Sequence, residues 1–296
     1  MAPDPSAPAP RIHRLLEGAL RLECAGVWYD LDRWLQREGL PADLVAALGT
    51  GALEASALGP RLPHAHPGSW EPAEAPVGAL ASPLAPAQVG KVLCLGKNFR
   101  AHAAEFGEEV PAEPMFFAKL PETLTGHGQP VRVRPWYRGR VDHEAELALV
   151  IGREASDLEP AEAMACVAAL TVANDLTARS LQGADRKQGY PWLRGKNMDG
   201  FLPLGPCLVP AGFLDPHDLE VRCSVNGATR QEASTRDLVV RIPEALAWLS
   251  RHLTLRPGDL VLMGTPEGVG PLEDGDLVAC AIPGIGTLET PILRPA

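Results

Sequence analysis

The 296-residue sequence predicts an α+β, β-rich fold. Two observations predict it. Thirty prolines and twenty-nine glycines make up about a fifth of the chain, which favours short strands joined by turns over long helices. The apolar runs beyond Gln88 are short and do not alternate with helical patterns, which argues against a doubly wound parallel sheet. No internal repeat is present.

In chain order, residues 1–10 alternate Pro with Ala, Asp and Ser and read as a disordered tail. From Arg11 to Leu62 the pattern is mixed: Glu23–Tyr29 reads as a strand, Asp30–Arg37 and Pro41–Leu48 as short helices. The Pro- and Ala-rich stretch Pro60–Pro86 reads as a linker wrapped over the surface, and its His64 and His66 as solvated. Residues 11–86 are therefore expected to form a small N-terminal domain and linker, and residues 87–296 a larger domain. There KVLCLG reads as a buried strand and Asn98–Phe106 as a helix. Pro114–Lys119, Val131–Val133, Glu144–Ile151 and Val167–Asp175 read as strands, the last followed by a helix through Gln182. Cys207–Val209, Leu219–Val225, Asp259–Met263, Leu277–Ile282 and Gly286–Ile292 complete the strands. Ile242–Leu253 is the clearest amphipathic helix, with Ile242, Leu246, Leu249 and Leu253 at helical spacing.

Composition narrows the function. Lys and Arg number 27 against 37 Asp and Glu, a net charge of −10; with no basic run longer than a pair, nucleic-acid binding through global charge is excluded. No run of apolar residues is long enough to span a membrane, and MAPDPSAPAP lacks the regions of a secretory signal. The six cysteines are scattered, with no C-x-x-C pair, and read as buried free thiols in a reducing cytoplasm.

Four features carry chemistry. In VDHEAELALVIG, strand alternation places Glu144 and Glu146 on one face, with Leu147, Leu149 and Ile151 on the other. Two such carboxylates repel unless a cation lies between them; a solvated strand face is the plainer alternative. AALTVAND ends an apolar strand in Asp175, which either points into a cleft or caps the following helix. Together Glu144, Glu146 and Asp175, with waters, suit Mg²⁺ or Mn²⁺ better than zinc. His102 and Glu105 are three apart in a helix; a Glu that holds one imidazole nitrogen leaves the other as a base, although an exposed helix pair reads the same way. Lys119, ending the apolar PMFFAK, and Lys196, in the Gly-flanked LRGKNMDGF, are either snorkelling surface lysines or local positive charge for an anionic substrate. LVLMGTPEGVG is a strand entering a Gly-rich turn, but not a phosphate-binding loop, for no Lys-Ser/Thr follows.

From Lys91 to Leu293 the chain resembles the fumarylacetoacetate hydrolase family. The resemblance rests on GKNFRAHAAE, FFAK, VDHEAELALVIG, VANDLTARSLQ, RGKNMDGFLPLGP, LRPGDLVLMGTPEGVG and DGDLVACAIPGIGTL, in that order. It implies a mixed β-roll as the catalytic domain over residues 87–296, with a small N-terminal domain. It implies a divalent metal (Mg²⁺ or Mn²⁺, with Ca²⁺ the other candidate) on Glu144, Glu146 and Asp175. His102 and Glu105 would form a dyad on a mobile lid, with Lys196 also catalytic and Lys119, Gln182 and Thr265 binding substrate. Phe99 departs from the family's usual Tyr. The implied activity is hydrolysis of a C–C bond in acylpyruvate-like 2,4-dioxo acids by way of a metal-stabilised enolate. The alternatives are decarboxylation of an oxaloacetate-like 2-oxo diacid, isomerisation or tautomerisation of a 2-hydroxy-diene-dioate, and, from another class, a non-catalytic binding module. The expected partners are a small anionic oxo acid and a second copy of the chain, with neither nucleic acid nor membrane.

Overall fold

The computed structural model describes residues 8–66, 68–107 and 109–295. The tail expected over residues 1–10 lies outside them up to residue 7; Pro10 is buried.

The first strands are β1 (Arg11–Arg14), β2 (Leu20–Cys24) and β3 (Val27–Asp30). A single strand was expected over Glu23–Tyr29. Instead the chain reverses at Ala25 and Gly26, with φ of 52° and 80°, the left-handed pair of a tight hairpin turn. Helix α1 (Leu31–Arg37) starts at Asp30, whose carboxylate accepts from the Arg33 amide at 3.0 Å. Helix α2 (Leu44–Gly49) starts likewise at Asp43, at 2.9 Å from the Ala46 amide. Both caps satisfy amides that the first turn leaves open. After α3 (Ala55–Leu58) the Pro-rich stretch does more than skirt the surface. It buries Trp70, Leu80 and Leu84, and Trp70 stacks on Trp34 with centroids 4.6 Å apart.

Next come β4 (Val92–Gly96), helix α4 (Arg100–Glu105), β5 (Met115–Lys119), β6 (Leu124–Thr125), β7 (Val131–Arg132), β8 (Val141–Asp142) and β9 (Ala145–Ile151). Helix α5 (Pro160–Ala163) leads to β10 (Val167–Asn174), β11 (Thr177–Ala178), α6 (Arg179–Lys187) and α7 (Leu193–Lys196). The rest is β12 (Leu202–Pro210), β13 (Glu220–Val225), β14 (Ala228–Ser234), α8 (Ile242–His252), β15 (Leu260–Leu262), β16 (Leu277–Ile282) and β17 (Gly286–Leu293). Helix α8 buries Ile242, Ala245, Leu246 and Leu249, whereas Leu253 lies beyond its end, 39% exposed.

The large sheet runs β3-β2-β1-β12-β10-β9-β15-β4-β5, with β6 beside β12. A five-stranded sheet runs β14-β13-β16-β17-β7, and β8 pairs with β11 in a ribbon. Pairing is mixed: β4–β15, β6–β12 and β7–β17 are parallel, the others antiparallel. Strand β9 is buried on both faces. Leu147, Leu149 and Ile151 pack with β13, β16, β17 and α8 residues. Ala148 and Val150 pack with the N-terminal strands and helices. The N-terminal segment therefore shares one sheet and one core with the rest of the chain. It covers the face whose row Val150, Ala148, Glu146 runs from apolar to acidic at the entry to β9.

Candidate metal and acid–base site

At that end of β9 the chain places three carboxylates together. Glu146 lies opposite Ala173 of β10. Glu144 lies one step before β9, held by its amide to Asn174 Oδ1 at 3.0 Å. Asp175 follows β10, its amide donating to Glu144 O at 2.8 Å. Each of the three offers an oxygen within 4.8 Å of the others', and all three are buried. Asp175 is not the cap of the following helix. Helix α6 begins only at Arg179, after the β11 bridge, and the Asp175 carboxylate turns inward.

Two lysines answer this charge. Lys196 Nζ donates to Glu144 Oε2 at 2.8 Å and to Asp175 Oδ2 at 2.6 Å. Lys119 Nζ donates to Asp175 Oδ1 at 2.7 Å and to Leu176 O at 3.3 Å. Both lysines are buried, so neither snorkels to the surface. They do differ in place. Lys196 is among the residues that line the cavity; Lys119, expected to bind substrate, is not. Against the cost of burial, Lys196 and then Arg179 hold the Glu144 carboxylate well below the usual range. Among the described residues Glu146 makes no ion pair: its Oε2 accepts the Gly264 amide at 2.6 Å. Burial, and then the charges of Asp175 and Glu144, push its carboxyl well above the usual range. Gly264 has φ +95°, and a Cβ there would meet Asn98 Cβ at 2.9 Å, so the turn that brings this amide to Glu146 requires glycine.

A buried carboxyl forced toward its neutral form, beside two carboxylates, is what an oxygen-ligated divalent cation would relieve. The donor set is all oxygen, with no thiolate or imidazole within it. It therefore fits a hard cation, held by Glu144, Glu146 and Asp175.

Above these carboxylates lies a cavity of about 270 Å³. Its walls include His102, Gln182, Lys196 and Thr265 besides the three acids. His102 Nδ1 lies 3.3 Å from Glu105 Oε2, and Glu105 Oε1 accepts the Gly268 amide at 3.2 Å. Burial, partly offset by Glu144, pulls the His102 imidazole below its ordinary value, which favours the neutral base at neutral pH. From the segment expected as a mobile lid, His102 and Phe106 line the cavity. The Phe106 ring meets the His102 ring edge-on at 5.2 Å and the Arg179 guanidinium at 5.1 Å. Asn98 fixes the base of this segment: its side chain donates to Met263 O at 2.8 Å and accepts the Val240 amide at 2.7 Å. Phe99, which stands where the family usually has Tyr, is buried in the core and is not among the residues that line the cavity.

Sequence reading passed over Arg179. Its guanidinium donates to Asp142 at 2.9 Å, Glu144 at 2.6 Å and Gln182 Oε1 at 2.7 Å, tying the ribbon, the carboxylates and the helix together. The signal available was its place three residues before Gln182 on one helix face. Gln231 was also missed. From β14 it accepts the Ala145 amide at 3.0 Å and donates to Thr265 Oγ1 and Pro266 O, both at 2.8 Å. It thereby fixes the start of β9 relative to the Gly264 turn. Strand β14, ATRQEAS, is too polar to be seen by apolar alternation.

Comparison with known proteins gives the family. Residues 91–293 match the family described as fumarylacetoacetate (FAA) hydrolase, C-terminal. The chain is 38% identical over 204 residues, 69% of this chain and 91% of the other, to a mitochondrial oxaloacetate tautomerase of Arabidopsis thaliana. Among solved structures it resembles a 5-carboxymethyl-2-hydroxymuconate delta-isomerase from Mycobacterium smegmatis, with 40% identity and TM-score 0.64 over 73% of this chain and 80% of that one. It also resembles a fumarylpyruvate hydrolase from Pseudomonas aeruginosa in complex with Mn²⁺ and pyruvate, with 36% identity and TM-score 0.66 over 70% and 91%. By this match and these relatives, the chain belongs to the fumarylacetoacetate hydrolase family of enzymes.

Proposed function

We propose that this chain is a divalent-metal-dependent hydrolase that cleaves the C–C bond of an acylpyruvate-like 2,4-dioxo acid. The observation that carries the reading is His102, held at Nδ1 by Glu105, in one cavity with three buried carboxylates. Mg²⁺ is the ion proposed, Mn²⁺ the alternative; when bound, it supplies positive charge to the oxygens of a 2-oxo acid as an enolate develops. Glu105 holds His102 Nδ1 and leaves Nε2 to take a proton from water. The hydroxide so formed adds to the C4 carbonyl, the C3–C4 bond breaks, and its electron pair passes into the 2-oxo acid as an enolate. Proton return to C3 releases pyruvate and a carboxylic acid. Lys196 holds Glu144 and Asp175 in register, and Gln182 and Thr265 offer hydrogen bonds to substrate oxygens from the cavity wall. His102 is 12% exposed, against at most 6% for Glu144 and Asp175, so the base stands on the side from which water enters.

A second reading has one observation in its favour, the relative named as an oxaloacetate tautomerase. There His102 takes its proton from C3 of a 2-oxo diacid and no water is consumed. Ultraviolet absorbance with Mg²⁺ separates the two. Loss of the enol band of fumarylpyruvate with release of pyruvate is expected. Interconversion of oxaloacetate enol and keto forms without pyruvate release from any acylpyruvate would replace hydrolysis with tautomerisation.

A cytoplasmic location is part of the proposal. It is supported by the six cysteines, which are free and buried. No helix among the described residues is long and apolar enough to cross a membrane. The proposal also includes a homodimer. Strand β5 ends the large sheet, and beside it Met115, Phe116, Tyr190 and Leu193 line an apolar surface hollow, with Tyr190 60% and Leu193 50% exposed. An uncovered apolar edge strand invites a second copy. Light scattering is expected to give twice the 31.5 kDa chain mass; a monomer mass at every concentration would overturn the dimer.

A further inference from the structure

One buried side chain joins the strand that carries the carboxylates to the Gly-rich turn beside them. Gln231 of β14 is 1% exposed and is not among the residues that line the cavity. Its side-chain amide is nevertheless bonded to its full capacity. Oε1 accepts the Ala145 amide at 3.0 Å and lies 3.2 Å from His143 Nδ1. Nε2 donates to Pro266 O and to Thr265 Oγ1, both at 2.8 Å. The partners dictate which way this amide points. A backbone N–H only donates and a carbonyl only accepts, so Oε1 must face Ala145 and Nε2 must face Pro266. The second Nε2 hydrogen is then committed to Thr265, whose hydroxyl oxygen accepts it.

That commitment fixes the polarity of Thr265. A hydroxyl oxygen that accepts one hydrogen bond still has its own hydrogen to give. Among the described residues that hydrogen has no acceptor, although Thr265 is only 3% exposed. Thr265 lines the cavity together with Glu146, Asp175 and Lys196. The turn that carries it is held at several points. Its Gly264 amide donates to Glu146 and its Gly268 amide to Glu105. A Cβ at Gly268 would meet Arg230 O at 2.0 Å, so the turn lies directly on β14, within reach of Gln231.

We infer that Gln231 is a positioning residue: by donating to Thr265 Oγ1 while accepting from Ala145, it makes the Thr265 hydroxyl a hydrogen-bond donor to an oxygen of the bound 2-oxo acid and sets that donor relative to Glu144 and Glu146, the residues on either side of Ala145. The inference rests on the proposed function in taking a 2-oxo acid as the occupant of the cavity. A carboxylate oxygen accepts and never donates. A hydroxyl free to rotate would present a lone pair to it for part of the time. The Gln231 amide removes that orientation before substrate arrives, which lowers the ordering cost of binding.

The test is a double-mutant cycle on the binding of pyruvate to the protein saturated with Mg²⁺, read by calorimetry. Thr265→Val removes the hydroxyl and keeps the shape. It is expected to weaken pyruvate binding about tenfold or more, the size of a hydrogen bond to a charged group. Gln231→Met fills nearly the same space without a donor. It is expected to weaken binding about fivefold or more by itself, but less than about twofold in the Thr265→Val background. A Gln231 that served only packing and the Ala145 bond would cost the same in both backgrounds, since neither involves the Thr265 hydroxyl. Circular dichroism checks folding; where Gln231→Met does not fold, Gln231→Asn, a methylene too short to hold both ends, takes its place in the cycle. Equal costs in the two backgrounds, or unchanged pyruvate affinity in Thr265→Val, would overturn the inference. If the cycle is coupled but no acylpyruvate is cleaved, the hydrolase reading falls and the positioning role stands. If acylpyruvate is cleaved and the costs are equal, the hydrolase reading stands and the positioning role falls.

Discussion

Glu146→Gln is expected to weaken Mg²⁺ binding by at least about 100-fold and to lower turnover about a thousandfold, the several kcal/mol that a bound cation supplies to a developing negative charge. Glu146 is the decisive member of the three. Glu144 and Asp175 each have an ammonium partner, so they keep a compensating charge whether or not metal is bound. Glu146 has one backbone amide, and its charge is the one a cation must stabilise. The same asymmetry sets the expected effect on stability. In the metal-free protein the neutral amide replaces a strained carboxyl, so Glu146→Gln unfolds at the same urea concentration or higher. Mg²⁺ raises the midpoint of the unmodified protein but not of the variant. Calorimetric titration with Mg²⁺ and denaturation with and without chelator check both. A variant with unchanged metal affinity and activity would remove Glu146 from the metal site.

His102→Ala is expected to reduce acylpyruvate cleavage by about 10²- to 10⁴-fold, the range for loss of a general base, while Mg²⁺ affinity stays within about twofold. His102 belongs to the cavity wall and is not among the three clustered carboxylates. In the unmodified protein the acid limb of the rate profile should lie below the ordinary histidine value of about 6.5, because burial disfavours the imidazolium. Above that limb the neutral base is present; below it His102 is protonated and the rate falls. The variant should lose the limb. A second measurement decides what the proton is taken from. If oxaloacetate tautomerisation survives in His102→Ala while cleavage is lost, His102 activates water. Equal loss of both means that it serves proton transfer at carbon, and the water step must be abandoned.

Much of this site is legible in local sequence because it is built on local periodicity. Glu144 and Glu146 share a face because strand side chains alternate. His102 and Glu105 meet because helix residues three apart are neighbours. These relations need no partner distant in sequence. The motif order from Lys91 to Leu293 added the family, and with it the expected convergence of segments that local rules cannot join.

The tertiary structure decided the rest. A lysine after four apolar residues does not declare whether it faces substrate or a neighbouring carboxylate; packing of β5 against the turn after β10 sends Lys119 to Asp175. Arg179 gains its partners from the β8–β11 ribbon, where Thr177 lies opposite Asp142, a pairing set by the register of two two-residue strands. Gln231 reaches the site from a polar strand with no apolar stripe to mark it. The N-terminal segment reads as a separate unit, yet β1 pairs with β12, opposing Ile12 to Leu208, and its helices cover one face of the large sheet. Local patterns specify which side chains share an element's face. Which faces meet, and therefore which charges must share a buried space, is fixed only when non-local strands pair and the core closes.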